Sequence, residues 1–90
     1  MTESTLPKLT IEYCAPCNYL PRTVWQVQEL APALTGEIQS VELIPADHGR
    51  YRVTLGDDVL FSKEVEGRFP EPGELIEAAY AALGQPVPAK

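Results

Sequence analysis

The sequence predicts a two-layer α/β sandwich, one domain with its elements in the order strand, helix, strand, strand, strand, helix. Three observations lead there. Apolar and polar residues alternate over Leu9–Tyr13 and again over Arg50–Leu55, the period of a half-buried strand. Apolar residues recur every three or four positions after Cys17 and again after Gly73, the period of an amphipathic helix. Gly56-Asp57-Asp58 carries hairpin chemistry, so two of the strands are joined directly.

The first strand presents Leu9, Ile11 and Tyr13 on one side and Thr10 and Glu12 on the other. Cys14-Ala15-Pro16-Cys17 follows at once. Leu20, Val24, Val27, Ala31 and Leu34 then form the apolar stripe of a first helix, with Pro16 and Pro21 near its start. Two prolines there predict an irregular or kinked first turn. Pro32 lacks the N–H an interior turn requires, so the regular helix is expected to stop near Leu30 or Ala31, and Gly36 ends the segment. Ile38–Ile44 reads as the second strand and Pro45–Gly49 as a turn. That strand could pair through the turn with the next one or lie at the edge beyond the first. Arg50–Leu55 is the third strand, Val59–Ser62 the fourth, and Lys63–Gly73 a polar loop. The last helix runs from Pro72 or Gly73 to Leu83, with Leu75, Ile76, Ala79, Tyr80 and Leu83 on its buried side, and Gly84 is its stop. Four strands give a mixed sheet, because the strand-helix-strand unit is parallel and the hairpin antiparallel. The ordered core is expected over about 8–84 of the single domain 1–90, with loose tails at 1–7 and 85–90.

A chain of 90 residues has a small core, so Trp25, Phe61, Phe69 and the four tyrosines are expected to matter for packing. The net charge of -6 argues against a nucleic-acid partner, which calls for a basic face toward phosphates. Met1–Lys8 shows no basic stretch followed by an apolar run, and no segment approaches the ~20 apolar residues that span a bilayer. The expected compartment is therefore the cytosol, where thiols are kept reduced, with no membrane partner.

Cys14-x-x-Cys17, placed where a strand passes into a helix, is the feature with chemical meaning. Unpaired N–H groups at a helix start favour a thiolate, and the thiolate is the nucleophile of thiol–disulfide exchange. The second cysteine lies close enough to resolve the mixed disulfide. A purely structural bridge competes weakly, since a four-residue ring contributes only about 2 kcal/mol against ~3 for a fifteen-residue loop. A structural zinc site would need four ligands, and Cys14, Cys17 and His48 supply three. Two incidental buried thiols are the remaining reading, and the strand-to-helix position speaks against it. No metal and no organic cofactor is expected. His48 sits in a turn, as a solvated residue or, since that turn follows the second strand, near the cysteines. Trp25 reads as packing rather than a substrate platform. Arg22 reads as an exposed helix residue that could support a thiolate or a substrate carboxylate. Glu64, Glu66, Glu71, Glu74 and Glu77 show no paired acid/base arrangement and read as a solvated face. Gly56 and Gly67 are turn glycines without a phosphate-cradling motif.

Ile11-Glu12-Tyr13-Cys14-Ala15-Pro16-Cys17-Asn18-Tyr19, Gly49-Arg50-Tyr51-Arg52-Val53, and Leu60-Phe61-Ser62-Lys63 leading to Gly67-Arg68-Phe69-Pro70 occur in this order over nearly the whole chain. In these segments the sequence resembles the selenoprotein W-like family, also called the Rdx family, as a cysteine-containing, prokaryotic-type member. The resemblance implies a thioredoxin-like fold with the redox motif between the first strand and first helix. It also implies that the Ile38 strand lies beside the first strand, with the hairpin on the other side. Selenium-containing members carry selenocysteine at the position of Cys17, which would make Cys17 the attacking residue, whereas thioredoxin practice would make it Cys14. Two departures from thioredoxin stand out: no tryptophan precedes Cys14, and no proline opens the strand at Arg50, where a cis-proline would guide substrate. The implied function is a thiol–disulfide oxidoreductase acting through Cys14 and Cys17 on protein or glutathione mixed disulfides. The alternative is a redox-sensitive binding module without sustained turnover.

Overall fold

Leu9, Ile11 and Tyr13 turn one face of the inner strand β1 (Lys8–Cys14) into the core, in a computed structural model that describes residues 5–88. The helix α1 (Leu20–Ala33) carries the chain across to β2 (Ser40–Ala46), which pairs with β1 in parallel from Lys8↔Ser40 to Cys14↔Ala46. A parallel pair needs such a crossover, and it brings the C-terminal end of β2 beside the cysteine motif. Strand β3 (Tyr51–Leu55) pairs antiparallel with the other side of β1, setting Tyr51 against Tyr13 and Val53 against Ile11. Gly56, at φ 59°, takes the left-handed conformation of the two-residue turn into β4 (Asp58–Ser62). The sheet order is β2-β1-β3-β4. Of the two placements open for the second strand, the edge beside β1 is the one found.

The helices cover one face of this sheet. A one-turn helix α2 (Lys63–Glu66) lies within the segment read as a polar loop, and α3 (Pro72–Leu83) packs on α1 and β4. Leu75, Ala79 and Tyr80 of α3 are buried, with Ile76 and Leu83 packed at the margin, as the periodicity predicts. The Tyr80 hydroxyl donates to the Ala33 carbonyl at 2.6 Å and ties α3 to the end of α1. Leu9, Ile11, Leu30, Leu34, Tyr51, Val53 and Leu75 are fully buried, each contributing ~1.5–3 kcal/mol of apolar transfer.

Three local expectations are corrected. The apolar stripe of α1 is only in part its buried face: Leu34 is buried and Val27 packs against the core, but Thr23, Gln26 and Leu30 are buried as well, while Leu20 and Val24 are 43% and 44% exposed. The helix is rotated so that Leu30 and Leu34 reach the core, which carries Leu20 and Val24 to its flank. Pro32 does not end α1, which continues to Ala33. The proline sits in the last turn, where it forfeits one backbone bond, and the Leu34 N–H still reaches the Leu30 carbonyl at 3.0 Å. Strand β2 runs two residues later than Ile38–Ile44 and includes Pro45, which an edge strand tolerates because its outer N–H has no partner to lose. The tails expected at 1–7 and 85–90 lie partly outside the described residues. Within them, the Pro7 carbonyl accepts the Gln39 N–H at 2.8 Å and Gln85 bonds the Glu37 carboxylate at 2.8 Å.

Candidate functional site

Backbone hydrogen bonds fix the cysteine motif before any side chain is considered. The Cys14 N–H donates to the Arg50 carbonyl at 2.8 Å and the Ala15 N–H to the Ala46 carbonyl at 3.0 Å. The motif is thereby fastened both to the end of β2 and to the residue preceding β3. The Asn18 N–H then closes a turn on the Ala15 carbonyl at 3.1 Å, with Asn18 at φ 61°, a conformation asparagine tolerates. Cys14 and Cys17 are joined in a disulfide, their Cα atoms 5.3 Å apart. The two are unequal: Cys14, at the end of a strand, is 1% exposed, whereas Cys17 lies exposed in the turn.

The helix begins later than the sequence suggests. Helix α1 starts at Leu20 with Tyr19 as its N-cap, so both cysteines precede its first turn. A helix-end charge effect fades within one turn, which weakens the argument for thiolate stabilisation by the helix start. Pro16 falls in the Ala15–Asn18 turn and Pro21 near the first position of α1.

Behind the motif stands an aromatic cluster that the sequence does not reveal. The Tyr19 N–H bonds the Cys14 carbonyl at 3.3 Å, and the Tyr19 ring meets Phe69 edge-on at 4.9 Å between centroids. Tyr51 closes the triangle, 5.3 Å from Phe69 and 6.5 Å from Tyr19. Phe69 lies after α2 and far along the chain from Cys14; the buried Gln26 amide holds this segment by donating to the Pro70 carbonyl at 2.6 Å. Burial pushes the Tyr51 phenol above its ordinary pKa, with the Thr23 hydroxyl and the Arg22 charge offsetting part of the shift. The phenol is therefore neutral at physiological pH. Its hydroxyl and Gln26 Oε1 are buried without a well-formed hydrogen bond, the Thr23 hydroxyl being turned to the Tyr19 carbonyl at 2.9 Å.

Charged groups complete the rim. Arg50 reaches Glu12 at 3.1 Å and Glu64 at 3.5 Å, locking the residue whose carbonyl holds Cys14. The Arg22 guanidinium stacks 4.2 Å from the Phe69 centroid, so it is more than a free helix residue. His48 stands in solvent: its side chain is 90% exposed and bonds Asp47 at 2.7 Å. Trp25, read as packing, is 42% exposed on α1. Glu74 is not merely solvated, since Arg68 grips it at 2.7 and 2.8 Å. A groove of about 430 Å³ lies between α1, α3 and the C-terminal segment, lined by Gln28, Pro32, Ile76 and Val87, but it holds neither cysteine. No helix among the described residues is long and apolar enough to cross a membrane.

The Rdx family model matches residues 8–79, which include the motif, the four strands and most of α3. The chain belongs to the Rdx family. Its fold is the thioredoxin-like fold of that family, with the disulfide between β1 and α1. A crystal structure of a selenoprotein W-related protein from Vibrio cholerae superimposes with a TM-score of 0.83 at 29% identity, over 88% of this chain and 99% of that one. A Bordetella parapertussis crystal structure gives 0.81 at 31% identity, over 86% and 98%. Among curated sequences, migration and invasion enhancer 1 of Mus musculus is 30% identical over 82 residues, spanning 88% of this chain and 68% of that protein.

Proposed function

We propose that this Rdx protein is a thiol–disulfide oxidoreductase in which Cys17 attacks and Cys14 resolves. The observation that carries this is the unequal burial of the bonded pair. Exchange is an in-line attack that requires access to sulfur, and Cys17 is exposed while Cys14 is shielded at the end of β1. In the reduced chain the Cys17 thiolate attacks one sulfur of a substrate disulfide. The substrate S–S bond breaks, a mixed disulfide forms on Cys17, and the leaving thiolate takes up a proton. The Cys14 thiolate then attacks Cys17 Sγ, closing the bond present in this structure and releasing the second substrate thiol. One substrate disulfide is reduced to two thiols and the dithiol is oxidised. A low-molecular-weight thiol or a dithiol protein, such as a reducing cytosol provides, restores the starting state. Substrates are protein or glutathione mixed disulfides.

The assignment is tested by mass analysis under turnover. A Cys14→Ser variant is expected to accumulate a one-to-one adduct with substrate that it cannot resolve. A Cys17→Ser variant should form none and lose turnover. An adduct on the Cys17→Ser chain instead would reverse the roles, and unchanged turnover in both would remove the mechanism. The exposed Leu20, Val24 and Trp25 on α1 favour one second reading, a surface that binds a partner according to redox state. Sustained turnover with a thiol supply separates the two.

A further inference from the structure

Arg22 and Lys63 are cations held on the aromatic cluster that Tyr19 joins to the cysteine motif. Arg22 stacks on Phe69 at 4.2 Å, and Lys63 Nζ lies 5.6 Å from the Phe69 centroid and 5.9 Å from that of Tyr19. One residue connects this pair to the chemistry: Tyr19, whose N–H bonds the Cys14 carbonyl and whose ring meets Phe69. The chain has 13 acidic and 7 basic residues, so carboxylate partners are in excess. Arg50 takes two and Arg68 one, yet neither Arg22 nor Lys63 takes any among the described residues. Glu64, next to Lys63, is drawn toward Arg50. Stacking orders these two side chains without neutralising them, so their charge remains available to a ligand.

We infer that Arg22 and Lys63 form a carboxylate subsite that selects disulfides bearing an anionic group near the scissile bond. This rests on the oxidoreductase reading and adds a substrate class to it. The subsite works against the field of the whole molecule, since a net charge of -6 repels anions and attracts cations. The local cations and the net charge therefore demand opposite orders of preference.

The test measures how fast the reduced full-length chain is oxidised by three disulfides at low salt: dithiodipropionate, hydroxyethyl disulfide and cystamine, which are anionic, neutral and cationic. Each rate is compared between the wild type and the Arg22→Gln/Lys63→Gln double variant, which cancels intrinsic differences among the reagents. With two surface charges removed, the anionic reagent is expected to slow by about threefold to tenfold. The neutral reagent should be unchanged within about twofold, and cystamine should react faster. The Arg22→Lys/Lys63→Arg variant keeps both charges and should retain the wild-type order. A Lys8→Gln variant, at the other end of β1, changes net charge without touching the subsite and should move none of the three. Equal slowing of all three reagents, or an anionic rate unaffected by the double variant, overturns the subsite. Failure of every reagent to oxidise the wild-type chain would overturn the exchange mechanism itself.

Discussion

The two long helices lie side by side on one face of the sheet, yet they are built to different specifications. Helix α3 buries Leu75, Ala79 and Tyr80, opens on a capping box between Glu71 and Glu74, and closes with Gly84 in the left-handed conformation at φ 72°. Helix α1 buries Thr23 and Gln26 beside Leu30, has no side-chain cap and no acidic residue in its first turn, and carries Pro32 inside. It also leaves Leu20, Val24 and Trp25 exposed. These features of α3 serve stability. Apart from Pro32 in the last turn, the unusual choices in α1 cluster at its cysteine end: Thr23 satisfies the Tyr19 carbonyl, Gln26 pins Pro70 next to Phe69, and Arg22 stacks on that ring. The contrast teaches that α1 belongs to the site and α3 to the scaffold.

The largest expected effects come from the buried leucines, where the helices should behave alike. Leu30→Ala in α1 and Leu75→Ala in α3 each remove a fully buried side chain and should each cost ~2–5 kcal/mol in urea unfolding. A loss below about 1 kcal/mol for either would mean that its helix does not share the common core.

The caps should separate the helices next. Hydrogen bonds from Arg68 and from the Glu71 backbone hold the Glu74 carboxyl down to about 2. A carboxyl depressed in the folded state stabilises above its unfolded pKa, and that contribution is lost as pH falls from ~4.3 toward the folded value. Because the side chain is 36% exposed, screening limits the effect to about 1 kcal/mol or less. Glu74→Gln should lower stability by that amount near pH 7 and flatten the acid slope between about pH 4.5 and 2. Urea midpoints across that range check it; an unchanged slope would move the acid-sensitive group elsewhere.

The same contrast governs what the sequence shows. In α3 the apolar residues are the buried ones, so period, start and stop are all legible from Leu75 to Gly84. The alternating strands β1 and β3 are legible for the same reason, since each has a partner on both sides and one face in the core. Strand β2 is an edge with one partner, and its apolar pattern is too loose to fix its limits or to place Pro45. The site is half legible. The Cys14–Cys17 pair can be read locally, and so can the Gly67–Pro70 segment as a motif. The meeting of Tyr19, Tyr51 and Phe69 depends on how far strands and helices return through space, and no local period encodes that. Arg22 and Lys63 look like surface residues for the same reason, until Phe69 is placed between them and the core.

The smallest effect is the most discriminating. The stripe Leu20-Val24-Val27-Ala31-Leu34 reads as the buried face of α1, and on that reading truncating Leu20 or Val24 to serine would forfeit ~1.5–3 kcal/mol. In the structure the buried residues are Thr23, Gln26, Leu30 and Leu34, and the first two residues of the stripe are exposed. Leu20→Ser and Val24→Ser are therefore expected to change stability by no more than about 0.5 kcal/mol, as exposed positions do. Urea unfolding of the two variants beside Leu30→Ala decides the matter. Near-neutral values confirm that α1 turns polar side chains inward at the disulfide end, whereas losses of about 2 kcal/mol would restore the plain amphipathic helix.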